Sequence, residues 1–154
     1  MAVHVEREGG IGVLRLDRPD RAHAYDVAQL RALEAGILAL QECTVVVVES
    51  TGDRAFCGGA DLQAMAHVDP LSALDLLSQR VFTQLARFPG VVIAAVQGAA
   101  VGGGCELTLA CDLRVAGPNA RFRLPETRLG ILPAAGGTTR LPRLVGAARA
   151  KEMI

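Results

Sequence analysis

The residues of this sequence with the means to do chemistry fall in two glycine-rich stretches and two glutamates. The first stretch is Phe56-Cys57-Gly58-Gly59-Ala60-Asp61, and the second is Gly102-Gly103-Gly104-Cys105-Glu106. Each follows an apolar run and leads into a helical pattern. Such a loop presents bare backbone N–H groups at a helix N-terminus, where an anion or a developing oxyanion is stabilised. One loop alone reads most simply as a tight strand-to-helix turn. Two of the same design, with a glutamate one turn into the second helix, point to a shared oxyanion hole.

The glutamates are Glu106, set among Cys105, Leu107, Leu109 and Ala110, and Glu126, which follows Pro125 in FRLPETRLG. A solvated carboxylate is not expected in such apolar company as that of Glu106. A buried carboxylate pair can share a proton, with one pKa raised. One member then accepts a proton from water while the other donates to carbon. Each also has a structural reading: Glu106 as a first-turn partner of the helix dipole, and Glu126 as a solvated loop charge.

Other chemistries find little support. Residues 98–106 lack the Lys-Ser or Lys-Thr of a phosphate-binding loop, and Leu107 stands where a dinucleotide fingerprint needs glycine or alanine. The serines are Ser50, Ser72 and Ser78, and none lies in a nucleophile elbow. Cys43, Cys57, Cys105 and Cys111 form no CxxC pair and lie near no histidine cluster, so neither a zinc site nor a disulfide framework is expected.

The elements that must position these groups alternate between strand and helix. Residues 3–7 and 11–16 alternate in polarity around Gly9-Gly10, a hairpin. Asp26 is an N-cap for a helix over 27–41, with Leu30, Leu33, Ile37 and Leu40 on one face. Residues 44–49 and 91–96 are continuous apolar runs, read as strands buried on both sides. Residues 51–61 read as loop, 62–67 and 70–88 as helices, and 103–110 as the helix after the second glycine loop. Short strands are expected over 112–116 and 121–124, and a helix over 137–144. A last helix begins after Gly146 and reaches Ile154 without a stop signal, so the chain reads as cut inside a helix. The class is α/β, one domain over 1–154.

Composition narrows the partners. Sixteen basic residues balance sixteen acidic ones, which gives no electrostatic reason to expect nucleic acid or an anionic membrane. The opening MAVHVERE lacks a signal peptide's apolar core, and no apolar run is long enough to cross a bilayer. A cytoplasmic setting is the expectation.

Taken together, LDRPDR, AFCGGADL, VVIAAVQGAAVGGGCELTLACDLRVA and FRLPETRLGILPAAGGTTRLPRLVG resemble the enoyl-CoA hydratase/isomerase (crotonase) superfamily, in order and along essentially the whole chain. The resemblance implies a spiral of repeated β-β-α turns, with the family's C-terminal helical part absent, and a homotrimer or hexamer for the full-length form. It implies an acyl-CoA thioester as substrate, with coenzyme A entering as part of it and no metal or other cofactor. It places the oxyanion-hole N–H groups on Ala60 and Gly103, the catalytic acids of a hydratase on Glu106 and Glu126, and substrate contacts on Ala60, Asp61, Leu62, Gln63, Gly103 and Ala134.

Family isomerases usually keep only the acid matching Glu126, so the pair favours a hydratase. The alternatives are an isomerase, another enolate chemistry on an acyl-CoA, or a non-catalytic acyl-CoA-binding subunit. The sequence departs from the family at His23-Ala24-Tyr25, where Asn-Ala-Leu is usual, at Ala134, where glycine is usual, and at Gln63, often basic. His23 reads as structural. Ala134 keeps its N–H but brings a methyl close to the expected water. Met65, Leu71, Leu74, Leu77 and Phe82 read as core packing in preference to an acyl tunnel.

Overall fold

The computed structural model describes residues 3–65 and 75–154. Strands β1 (Val3–Glu8) and β2 (Ile11–Leu16) form the expected antiparallel hairpin, Glu8 pairing with Ile11 across the Gly-Gly turn. Asp26 caps α1 (Val27–Ala39): its carboxylate accepts from the Ala28 and Gln29 N–H groups, and the Gln29 side chain accepts from the Asp26 N–H. This reciprocal cap satisfies donors that a helix start would otherwise leave open. Leu30, Leu33 and Ile37 are the buried face, as their spacing predicts.

From here the chain repeats one pattern. Strands β3 (Val45–Ser50) and β4 (Ala55–Cys57) lead to α2 (Leu62–Met65) and α3 (Leu77–Ala86). Strands β5 (Val91–Val96) and β6 (Ala99–Val101) lead to α4 (Gly103–Leu109). Strands β7 (Leu113–Ala116) and β8 (Arg121–Arg123) lead to a 3-10 turn over Glu126–Leu129, followed by α5 (Gly137–Val145) and α6 (Ala147–Met153). The first strand of each turn adds to a five-stranded sheet of order β1-β2-β3-β5-β7. The second adds to a three-stranded sheet of order β4-β6-β8. Every pairing after the hairpin is parallel.

The corner between the sheets is pinned by Gln97, whose amide donates to Ser50 Oγ at 2.8 Å and to the Ala55 carbonyl at 3.1 Å. The core fills the space inside the spiral with Leu14, Val46, Val48, Phe56, Phe82 and Val92, all fully buried. Truncating either phenylalanine to alanine would cost about 3–5 kcal/mol.

Three expectations are corrected. The loop expected over 51–61 contains a strand, β4, and a second unforeseen strand, β6, lies just ahead of the second glycine stretch; together they help build the second sheet. At three residues each, they are too short to show an alternating pattern. Strands β3 and β5 are not buried on both faces. Val46, Val48, Val92 and Ala94 point inward, whereas Val45 and Val47 are half-buried and Val91 is exposed. Residues 75–76, inside the helix expected over 70–88, are non-helical, and α3 begins at Leu77. The earlier part of that helix, the last residues of the one expected over 62–67, and Leu71 and Leu74 lie outside the described residues.

Candidate active site

The two glycine loops meet backbone to backbone. Gly59 has φ +91°, and a Cβ there would fall 2.8 Å from the Val101 carbonyl oxygen and 3.0 Å from the Gly103 nitrogen. A Cβ on Gly104 would fall 1.9 Å from the Cys57 carbonyl oxygen, closer than any side chain tolerates. The glycines are therefore what lets a β4 loop and the α4 N-terminus share one wall.

Ala60 is held by a bridge to Tyr25. The Tyr25 N–H donates to the Gly59 carbonyl, and the Asp61 N–H donates to the Tyr25 carbonyl, both at 2.8 Å. The bridge engages the neighbours of Ala60 and leaves its own N–H without an acceptor among the described residues. The Gly103 N–H, first in α4, is likewise open, as helix starts are.

Both residues line a cleft of about 630 Å³, together with Leu62, Glu106, Glu126 and Ala134. That volume lies within the common range of small-molecule sites. Asp61 and Gln63 are not part of this lining. Asp61 accepts from the Gln63 N–H at the start of α2 and faces Arg18 and Arg21 at 3.6 and 3.4 Å. Gln63 accepts from Arg21 at 3.2 Å. Met65 lines the cleft, contrary to its reading as core, whereas Phe82 is core and Leu77 packs against it.

The two carboxyl groups are buried, at 3% and 7% exposure for Glu106 and Glu126. Both are pushed above the usual carboxylate range, in each case chiefly by burial. Their surroundings then differ. Glu106 Oε1 accepts from the backbone N–H groups of Ala135 and Gly137, both at 2.8 Å, and these bonds pull its pKa back down. Glu126 Oε2 has no hydrogen-bond partner among the described residues. A buried carboxyl with an unpartnered oxygen is favoured in its protonated form, and one accepting two N–H bonds in its anionic form. The reading of Glu126 as a solvated charge is thereby overturned. Glu106 does sit in the first turn of α4, but its carboxylate is tied to the 135–137 loop.

Sequence reasoning looked to Ala134 for the loop contact. Ala134 does line the cleft, but the N–H groups that reach Glu106 belong to Ala135 and Gly137, and no motif in the sequence marks those two in advance. In the sequence, Tyr25 stands out only as a departure from the family pattern. It lines the cleft, its hydroxyl lies 1.8 Å from where a Cβ on Gly103 would stand, and its ring meets Phe82 edge to face at 5.8 Å. Burial pushes its hydroxyl pKa upward, against the pull of the Ser78 side chain.

His23 is structural, as expected. It is buried, its Nδ1 accepts from the Arg18 N–H at 3.0 Å, and its Nε2 faces the Thr51 carbonyl at 2.9 Å. An asparagine amide offers the same one acceptor and one donor. Burial pushes the Cys57 and Cys105 thiols up to about 12, which leaves them inert as nucleophiles. Among the described residues no group of three or more His, Cys, Asp or Glu side chains is placed to hold a metal ion, and no helix is long and apolar enough to cross a membrane.

A two-sheet α/β spiral, parallel after its opening hairpin, thus brings two glycine loops and two buried carboxyl groups around one cleft. Residues 6–154 match the sequence profile described as Enoyl-CoA hydratase/isomerase. The crotonyl-CoA hydratase of Syntrophomonas wolfei is 39% identical over 155 residues, covering 97% of this chain and 60% of that protein. The 2,3-dehydroadipyl-CoA hydratase of Escherichia coli is 43% identical over 152 residues, covering 97% of this chain and 60% of that one. The crystal structure of an enoyl-CoA hydratase from Bacillus anthracis superimposes with a TM-score of 0.94 at 36% identity, over 100% of this chain and 62% of that one. The chain belongs to the enoyl-CoA hydratase/isomerase family, and its fold is that of the N-terminal part of the crotonase fold. It spans about three-fifths of the length of these relatives.

Proposed function

We propose that this chain carries the catalytic centre of an enoyl-CoA hydratase, which adds water across the C2=C3 bond of a 2-enoyl-CoA thioester. The observation that carries the reading is the unequal pair lining one cleft, Glu106 hydrogen-bonded by two backbone N–H groups and Glu126 with its Oε2 buried and unpartnered among the described residues. The names of the relatives, hydratases of short and substituted enoyl-CoA thioesters, support the substrate class.

The chemistry follows from the pair. The thioester oxygen takes the open N–H groups of Ala60 and Gly103. The Glu106 carboxylate accepts a proton from water, and the resulting hydroxide bonds to C3. The C2=C3 electrons move onto the thioester oxygen as enolate. As that enolate collapses, the Glu126 carboxylic acid delivers its proton to C2. The enzyme is left with Glu106 protonated and Glu126 ionised, and proton exchange with solvent restores it. Each oxyanion donor of this kind is worth about 3–4 kcal/mol. These steps balance with no metal or redox cofactor, and coenzyme A enters as part of the substrate.

The test is the conjugated-enone absorbance of crotonyl-CoA on addition of the purified chain. Loss of absorbance with 3-hydroxyacyl-CoA as product is the expected result. A 3-enoyl-CoA product identifies an isomerase instead. Binding without turnover, by this chain and by a full-length form alike, leaves an acyl-CoA-binding subunit and overturns the hydratase.

A further inference from the structure

Arg140, on the first turn of α5, is partly buried, and no carboxylate of a described residue lies within ion-pair distance of it. A desolvated guanidinium is normally paired, because burying an unpaired charge is costly. Its bonds go elsewhere. Nη1 donates to the Ala135 carbonyl at 2.9 Å, and Nη2 reaches Thr83 Oγ on α3 at 3.4 Å. The Ala135 carbonyl belongs to the same short loop whose Ala135 and Gly137 N–H groups both donate to Glu106 Oε1. The loop is therefore gripped from two sides, by Glu106 through its N–H groups and by Arg140 through its carbonyl. Gly136, between them, has φ +111°, and a Cβ there would fall 2.0 Å from Arg140 Nη1, so the guanidinium lies directly against the loop backbone.

We propose that Arg140 is a positioning residue that keeps Glu106 in its anionic, proton-accepting form, by fixing the 135–137 loop and by placing a positive charge behind it. The inference rests on the reading of Glu106 as the proton acceptor. Among the described residues, the titratable groups that face Glu106 are Glu126 from the 3-10 turn and Arg140 from α5, with Tyr25 from the segment before α1 and Cys105 beside it on α4. Glu126 opposes the anionic form when ionised, and Tyr25 and Cys105 stay neutral, which leaves Arg140 as the favourable charge. Its attraction adds to the pull of the two N–H bonds, and the burial of Arg140 itself weakens water's screening between them.

The experiment reads Glu106 directly, without turnover. The carboxyl 13C shift of Glu106 is titrated in the folded chain, assigned by its loss in Glu106→Gln, with Glu126→Gln as background so that one buried carboxyl titrates. Arg140→Gln keeps a donor for the Ala135 carbonyl but removes the charge, and its Glu106 midpoint is expected to rise by about one pH unit. Arg140→Lys keeps the charge and is expected to hold the midpoint close to native. An unchanged midpoint in folded Arg140→Gln overturns the proposal. If that variant does not fold, Arg140→Lys decides alone: a midpoint near native supports a charge role, and one raised by about a full unit overturns it. Because no substrate is present, this outcome is separate from failure of the hydratase reading, which shows as undiminished hydration in Glu106→Gln.

Discussion

Glu106 and Glu126 share a residue type, a cleft and a depth of burial, and differ in what the backbone offers them. Glu106 rises from the first turn of α4 into a loop that turns two N–H groups toward it. Glu126 opens a 3-10 turn after Pro125, and its Oε2 meets no partner among the described residues. Desolvation raises both pKa values, and the two backbone N–H bonds then draw that of Glu106 back down. One cleft thus holds two carboxyl groups of the same chemical kind in unlike settings, and the proposed division into base and acid follows from main-chain geometry.

The sharpest way to break the comparison is to neutralise each carboxyl in turn. Glu126→Gln should lower hydration turnover by about 10³-fold, the scale of a lost general acid, with little change in the folded state. Crotonyl-CoA kinetics alongside thermal melting check both halves. Substitution for stability instead of activity should give opposite signs. Glu106→Ala orphans the Ala135 and Gly137 N–H groups and should destabilise by about 2–3 kcal/mol. Glu126→Leu removes a buried carboxyl that has one oxygen without a partner, and should leave stability unchanged or raise it by about 1 kcal/mol while abolishing turnover. Denaturant titration of the two variants separates them, and equal destabilisation would show that the pair is not asymmetric.

A comparable loss, about 3 kcal/mol, is expected for Gly104→Ala, because the new methyl meets the Cys57 carbonyl and must force the two loops apart. Its crotonyl-CoA affinity should fall with its melting temperature, whereas Glu126→Gln should affect neither.

The pH dependence of stability sharpens the same contrast more gently. The Glu126 pKa lies above its ordinary 4.5 in the folded chain, so the folded state holds its proton more tightly than the unfolded one. Stability should therefore decline as pH rises from 4.5 through the raised value, and Glu126→Gln should flatten that slope. His23 behaves oppositely. Burial lowers its pKa below 6.5, and its Nδ1 must stay unprotonated to accept from Arg18. Stability should be lost as pH falls from 6.5 through the depressed value, and His23→Asn should remove that loss. The His23 effect, from a single group over a narrow pH window, is expected to be the smallest of the set.

Much of this was legible in the residues. The hairpin, the Asp26 cap, the α1 face and the helix starting at Gly103 followed from turn glycines, a capping aspartate and a period of three to four. The paired design of the two loops, and the place of Glu106 and Glu126, followed from glycine spacing and from carboxyl groups in apolar company. What escaped was whatever depends on partners far along the chain. Strands β4 and β6 are three residues each and exist only because segments more than forty residues apart lie in register, as Ala55 does with Ala99. The half-exposed face of the larger sheet escaped for a related reason, since an apolar run does not say whether anything packs on its second side.

The sequence by itself determined the class of fold, the two glycine loops and the two carboxyl groups set in apolar company, because each rests on local chemistry: backbone freedom at glycine, capping at a helix start, and the improbability of a lone charge among leucines. Only the tertiary structure decided that the loops touch at Gly59 and Gly104, that Ala135 and Gly137 bind Glu106 while Glu126 Oε2 is left unpartnered, that Tyr25 lines the cleft and that Arg140 holds the Ala135 carbonyl. Those relations join residues from distant turns of the spiral. Their geometry is fixed by how parallel strands stack the turns, which no local stretch of sequence encodes.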